Sequence, residues 1–333
     1  MDKILWKPNL SNDKNHISKL INIVNKRYNL EIKKYSDLYD WSINYPEKFW
    51  EQTWKYSHII SSGNYTSIVD DVKKMPGANW FPDAKLNFAE NLLRYKDNKP
   101  AIYYKSETGK SETITYKELF NSVEALTHSL RNIGISKGDR IVGYMPNIPE
   151  AIIAMLSTAS IGAIWSSTSS DFGVKGVLDR FSQIQPKVIF STSGYSYNGK
   201  FYNTLKKLST IVSNIKSLEK VVIVNISDEN LENQKIKNSI AYKNFISKRP
   251  KKLKFEQLPF NYPLYVLYSS GTTGLPKSIV HSAGGTLIQH LKELYFHCDL
   301  HRSDNIFYFT TCGWMMWNWL VTSLAVGSTI TLY

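Results

Sequence analysis

Ten consecutive residues hold the densest chemistry in this chain: Tyr268-Ser269-Ser270-Gly271-Thr272-Thr273-Gly274-Leu275-Pro276-Lys277. Glycines free the backbone to turn its amides inward, hydroxyl groups add donors, and a lysine closes the segment with a cation. Such a loop can wrap a polyphosphate, because successive N–H groups in a tight turn form a concave anion cradle. It is not a Walker loop. That pattern needs four residues between its glycines and a lysine directly after the second, whereas here two residues separate Gly271 from Gly274 and Lys277 follows Leu-Pro. A plain Gly/Ser/Thr-rich surface turn is the alternative, and the full string is more specific than a lone glycine pattern.

One further cluster invites a role. Thr311-Cys312-Gly313-Trp314-Met315-Met316-Trp317-Asn318-Trp319 brings a large indole beside two flexible thioethers, which can line an apolar pocket or simply fill a core. His290, His297 and His301 with Cys298 and Asp304 match no common metal spacing, so no metal ligands are assigned. His281, just after the loop, reads as a loop anchor rather than a general base.

The elements that must position these residues alternate. Strand-like runs at Ala101 to Tyr104 and Ser111 to Thr115 form a hairpin through Thr108-Gly109-Lys110. Thr115 and Glu118 spell a capping box, and Leu119, Val123, Leu126 and Leu130 recur at helical spacing up to Gly134. Strands follow at Arg140 to Met145, Lys187 to Ser191, Val221 to Val224 and Leu264 to Tyr268. Helices are expected at Leu86 to Tyr95, Glu150 to Ile161, Gly173 to Ile184 with Ser170 and Asp171 as cap candidates, Phe201 to Asn214, and from near Gly284. Strands alternating with helices of this length imply right-handed crossovers and parallel sheets covered by helices on both faces, an α/β fold. Residues before about Lys85 are rich in Trp and Tyr and read as short helices, one opened by Pro46. Asp228 to Asn238 is polar and reads as a surface excursion.

Composition narrows the class. The 333 residues are 42% hydrophobic and 21% charged, ample for a core and against disorder. Cys298 and Cys312 are too few for a disulfide framework, which points to a reducing, cytoplasmic setting. The formal charge of +13 comes from 34 Lys and only 7 Arg scattered among Asn, Ile and Tyr. The densest basic run, Lys248 to Lys254, has no interleaved aromatics, so nucleic acid is not the expected partner. Met1 to Leu10 lacks the apolar core of a signal peptide. Ile306 to Tyr333 is free of formal charge and long enough for a membrane span, but Gly313, Gly327 and its many Thr and Ser divide it into strand, helix and strand lengths.

The ten-residue string resembles the phosphate-loop signature of the adenylate-forming superfamily of acyl-CoA synthetases, luciferases and adenylation domains. Asn79-Trp80-Phe81-Pro82, Leu86-Asn87-Phe88-Ala89-Glu90-Asn91-Leu92-Leu93, Ser169-Ser170-Asp171-Phe172-Gly173, Leu178-Asp179-Arg180-Phe181, Asn198-Gly199-Lys200 and the Trp-Met cluster are similar to the acetoacetyl-CoA synthetase family in particular, from about Trp41 onward. The resemblance implies a partial AMP-binding domain over 86–333 behind a helical N-terminal extension over 1–85. It implies an acid–CoA ligase that uses ATP with Mg²⁺ and coenzyme A, with acetoacetate as the acid. Ser269, Ser270, Gly271, Thr272, Thr273, Gly274 and Lys277 would bind the ATP phosphates, with Lys277 and Thr272 catalytic. Trp314, Met315 and Met316 would wall the acyl pocket, and Asn198, Gly199 and Lys200 would contact coenzyme A. The family's adenine and Mg²⁺ motifs, ribose Asp, hinge and adenylation lysine find no match here. The expectation is the front half of a truncated or split ligase, inactive alone, with a separate chain as supplier of the rest. The rival reading is a non-catalytic nucleotide-binding or scaffold remnant.

Overall fold

The computed structural model describes residues 15–226, 236–269 and 274–333. Three helices open it: α1 (His16–Tyr28), α2 (Tyr35–Asn44) and α3 (Pro46–Tyr56). Leu20, Val24, Leu38 and Trp41 bury their shared apolar faces in a small core of their own. A long connection leads to β1 (Lys85–Leu86) and the short helix α4 (Phe88–Leu92). The helix expected over Leu86 to Tyr95 is therefore shorter, because Leu86 pairs with Leu258 in a two-stranded ladder and Asn87 caps the turn through the Glu90 amide.

The hairpin β2 (Pro100–Lys105) and β3 (Ser111–Thr115) leads into α5 (Tyr116–Asn132), and both arms of the Thr115–Glu118 capping box are present. Then come β4 (Arg140–Tyr144), α6 (Pro149–Ile161), β5 (Ile164–Thr168), α7 (Val174–Ile184), β6 (Val188–Thr192), the hairpin β7 (Gly194–Tyr197) and β8 (Lys200–Asn203), α8 (Leu205–Asn214) and β9 (Lys220–Val224). After the undescribed residues 227–235, which hold most of the expected polar excursion, follow β10 (Ser239–Ala241), α9 (Tyr242–Phe245), β11 (Leu258–Pro259), β12 (Pro263–Ser269), β13 (Lys277–Ser282), α10 (Ala283–Phe296), β14 (Asn305–Phe307), α11 (Met315–Thr322) and β15 (Thr329–Leu332).

Seven strands form one sheet in the order β10-β9-β6-β4-β5-β12-β13, parallel throughout except for β13, which runs antiparallel to β12. Alternate residues supply its two faces. Val142, Ile189 and Val221 pack against Val177 and Phe181 of α7 and Leu208 and Ile211 of α8, while Ile141, Val188 and Val222 join the larger core holding α5, α6 and α10. A second sheet has the order β14-β15-β2-β3.

Three expectations shift. The helix predicted from Phe201 begins at Leu205, since Asn198 and Gly199 take left-handed angles (φ 51° and 71°) and fold the preceding residues into a two-residue hairpin. Helix α7 starts at Val174 with Gly173 at the cap position and no side-chain cap, so Ser170 and Asp171 do not cap it. The Tyr144 hydroxyl, 2.8 Å from the Ser170 carbonyl and 2.9 Å from that of Phe172, ties the loop back to β4 instead. Finally, β13 intervenes between the phosphate loop and α10, where the sequence suggested loop running into helix. No helix among the described residues is long and apolar enough to cross a membrane.

Candidate active site

The phosphate-loop string becomes the connection of the β12–β13 hairpin. Ser269 and Lys277 are the last register pair. Ser270, Gly271, Thr272 and Thr273 lie outside the described residues. Gly274 takes φ 104°, a conformation that penalises any Cβ, and is exposed. Lys277 is exposed, and among the described residues no carboxylate lies within ion-pair distance of it. Because β12 is parallel to β5, the turn sits at the carboxyl end of the parallel strands, where open α/β sheets bind ligands.

Helix α7 brackets this hairpin. The Gln183 amide donates to the Pro276 carbonyl at 2.9 Å, and the Ser278 hydroxyl donates to Gln183 Oε1 at 2.9 Å, clamping the outgoing arm from both sides. On the incoming arm the Tyr268 hydroxyl donates to the Arg180 carbonyl at 3.0 Å, and burial pushes the phenol up to about 12. The Arg180 guanidinium stands 4.9 Å from the Phe172 ring centroid. Sequence reasoning assigned neither Gln183 nor Arg180 a role. Arg180 stood in a quoted string; Gln183 had no signal at all.

The same end of the sheet opens a cavity of about 620 Å³. Its walls come from the loops after β4 (Asn147) and β5 (Asp171), from Tyr195 and Tyr197 of β7, and from Thr310 and Thr311 before α11. Segment 312–317 is fastened to this site. The Ser167 hydroxyl donates to the Cys312 carbonyl at 2.6 Å, the Cys312 thiol to the Pro146 carbonyl at 3.3 Å, and the Trp317 indole to Asn147 Oδ1 at 2.9 Å. Burial raises the Cys312 thiol far above its ordinary range, so it is packing and no nucleophile. Glu150, at the cavity edge, is likewise raised by burial.

The remaining candidates take distinct places. Trp314 caps α11 and is 66% exposed, Met315 is exposed beside it, and Met316 packs against the large core; none of the three lines the 620 Å³ cavity. Asn198 and Gly199 make the β7–β8 turn next to the cavity-lining Tyr197, with the Gly199 amide donating to Glu107 Oε2 at 3.3 Å and Lys200 exposed. The His281 ring lies tilted against Tyr265, centroids 5.0 Å apart, and burial lowers its pKa.

Other quoted strings prove structural. Phe81 stacks on Trp54 at 4.6 Å and meets Phe260 at 5.1 Å. Asn91 accepts the Ile60 amide at 2.8 Å, and Asn87 donates to the carbonyls of Ala159 and Glu256 at 2.9 Å. These contacts join the helical N-terminal region to the sheet domain. His16, Asp299 and His301 cluster within 4.8 Å, but both ring nitrogens of His16 are engaged, by the Tyr56 hydroxyl (2.6 Å) and the Leu300 carbonyl (3.1 Å). Its ring stacks face to face on His301, so the cluster ties α1 to the end of α10 rather than presenting lone pairs to an ion.

Comparison with known proteins agrees with this architecture. The AMP-binding enzyme family model matches residues 88–333, and the model of the acetyl-coenzyme A synthetase N-terminus matches 35–92. The chain is 47% identical to acetoacetyl-CoA synthetase of Gallus gallus over 99% of its length and 51% of that protein. It is 43% identical to acetoacetyl-coenzyme A synthetase of Rhizobium meliloti, over 100% of this chain and 51% of the other. The solved acetoacetyl-CoA synthetase of Streptomyces lividans superposes with a TM-score of 0.94 at 37% identity, covering 100% of this chain and 51% of that one. The chain thus spans about half the length of these relatives. With a glycine-rich hairpin connection at the carboxyl edge of a parallel sheet and a family match over most of its residues, the chain belongs to the AMP-binding enzymes.

Proposed function

We propose that this chain carries the phosphate-loop half of an ATP-dependent ligase that joins acetoacetate to coenzyme A. The observation that supports it best is the β12–β13 hairpin at the carboxyl end of the sheet: Pro276 and Ser278 are held by Gln183 of α7, and Lys277 between them is exposed with no carboxylate at ion-pair distance among the described residues. In the first half-reaction an acetoacetate oxygen bonds to the α-phosphorus of ATP as the bond to pyrophosphate breaks. Negative charge grows on the departing pyrophosphate, and Lys277 with the amides and hydroxyls of 269–274 stabilises it there. In the second, the thiol of coenzyme A attacks the acyl carbon, the bond to AMP breaks, and the thiol proton passes to solvent or a base. Mg²⁺ would accompany ATP in this chemistry and neutralise phosphate charge; the family motifs for it, for adenine and for the adenylation lysine find no match in this sequence. Trp314, Met315 and Met316 shape the acyl pocket, and the Asn198-Gly199-Lys200 turn meets coenzyme A at the cavity rim. Residues 1–85 form the extension and 86–333 the partial ligase domain, in the cytoplasm.

Acetoacetate-dependent ATP–pyrophosphate exchange tests this. The 333-residue chain alone should show none, and a fusion of it to the second half of the Gallus gallus relative should show exchange. In that fusion Lys277→Ala should lower the adenylation rate by ~10- to 1000-fold and slow thiol transfer from preformed acyl-adenylate much less. Equal loss in both half-reactions contradicts the assignment.

A further inference from the structure

We propose that the groove between α5 and residues 251–254 is a binding site for a phosphate group, carried free or on a small phosphomonoester. It shares no lining residue with the 620 Å³ cavity or with the β12–β13 hairpin, so the inference stands apart from the proposed function. Glu124, Thr127, His128 and Arg131 recur at helical spacing and give one face of α5 to the groove, while the end of the basic run Lys248 to Lys254 supplies the other wall. Two bonds fix that wall in place. Glu124 Oε1 accepts the Leu253 amide at 2.7 Å, and Arg131 Nη2 donates to the Lys254 carbonyl at 2.8 Å.

The groove offers donors and is short of acceptors. Arg131, Lys251, Lys252 and Lys254 line it, and none of the four makes an ion pair among the described residues. The one carboxylate in the lining, Glu124, is turned to the Leu253 amide. Thr127 is the most telling group. It is 1% exposed, lines the groove, and has a hydroxyl without a hydrogen-bond partner among the described residues. A helical threonine ordinarily donates to the carbonyl four residues back. Here that carbonyl, of Val123, already accepts the Ser157 hydroxyl at 3.2 Å. A buried hydroxyl with no acceptor costs stability, and phosphate oxygens are strong acceptors that also balance the unpaired cations. At about 240 Å³ the groove is smaller than the roughly 300–1,000 Å³ of sites for drug-sized ligands, which suits a phosphate group rather than a whole nucleotide.

His128, in the same lining, reports occupancy. Proton NMR of its imidazole, assigned by the signal lost in His128→Gln, is followed in the 333-residue chain as inorganic phosphate is added at neutral pH, with ionic strength held constant by chloride. The signal should move and saturate. The Kd should be unchanged in Lys277→Ala, which strips the phosphate hairpin of its cation. It should weaken by ~10-fold or more both in the double variant Lys251→Gln, Lys252→Gln and in Thr127→Val. Without phosphate, Thr127→Val should melt no lower than the parent, because the methyl replaces a hydroxyl that bonds nothing. Glycerol 2-phosphate in a parallel titration tells an ester site from an ion site, and saturation with either one supports the proposal. Absence of a saturable movement with both overturns it, as does retained affinity in either groove variant, loss of binding in Lys277→Ala, or a lowered melting temperature of Thr127→Val.

Discussion

His290 makes the stability of this chain fall with acidity in a way that can be worked out in advance. It sits on α10 at 5% exposure, with Nδ1 2.8 Å from Thr322 Oγ1. The single Thr322 proton goes to the Asn318 carbonyl at 2.8 Å, so the imidazole must donate from Nδ1 and is held neutral in that tautomer. Burial lowers its pKa to about 3, with His281 adding a smaller push in the same direction. An unfolded chain protonates this residue near 6.5, so between about 6.5 and 3 the unfolded state binds the extra proton. The contribution is complete above pH 6.5, erodes as pH falls through that window, and changes no further below about 3. At about 1.4 kcal/mol per pH unit, lowering the pH from 6.5 to 5 removes about 2 kcal/mol. Urea unfolding followed by tryptophan fluorescence at both pH values measures it. His290→Asn keeps a donor for Thr322 and cannot titrate, so its stability should drop by about 2 kcal/mol less than the parent's over the same interval. The other histidines lowered in the fold, His16, His281 and His297, remain in both proteins and cancel in the comparison. Equal pH slopes for parent and variant would refute the reasoning, since His290 would then take up its proton within the folded state.

Three more outcomes follow from the same geometry. A Cβ at Gly284 would lie 2.2 Å from the Phe260 ring, which is itself wedged against Phe81, so Gly284→Ala should cost about 1 to 3 kcal/mol or more by overpacking, seen as a lower urea midpoint. Thr115→Ala deletes the acceptor for the Glu118 amide at the start of α5 and should cost about 1 kcal/mol in the same assay, with Thr115→Ser nearly neutral. In the Gallus gallus fusion, Trp314→Gly should shift the ratio of specificity constants for hexanoate over acetoacetate upward by about 10- to 200-fold, the worth of one methylene in an apolar pocket. An unchanged ratio with lowered stability would make the cluster core packing.

Much of the site is legible in the chain because its chemistry is local. The Thr115–Glu118 cap depends on residues within a few positions of one another, as does the glycine-rich connection ahead of Lys277, while the equally local Asn198-Gly199 hairpin displaced the first turn of the helix expected from Phe201. Propensity fails where a distant partner intervenes. Leu86 leaves its helix for Leu258, and the loop at Ser170 is drawn to Tyr144 before it can cap α7. Gln183, which grips the phosphate hairpin from 93 positions away, has no sequence signal, because an exposed helical glutamine looks the same whether or not a loop arrives beside it.

By itself, then, the sequence determined the alternation of strands and helices, the parallel sheet covered on both faces, and the glycine- and hydroxyl-rich donor inventory of residues 269–277. These follow from side-chain period, turn chemistry and donor inventory, all properties of short windows. Only the tertiary structure decided that β13 follows the loop as the second arm of a hairpin at the carboxyl edge, that the Asn87, Asn91 and Phe81 strings are joints between elements, and that Ile279 and Val280 of β13 stay about half exposed. Those facts depend on which surfaces meet across hundreds of positions. Ile279 and Val280, adjacent in a polar run, carry no period that announces a strand or says how far its faces are covered.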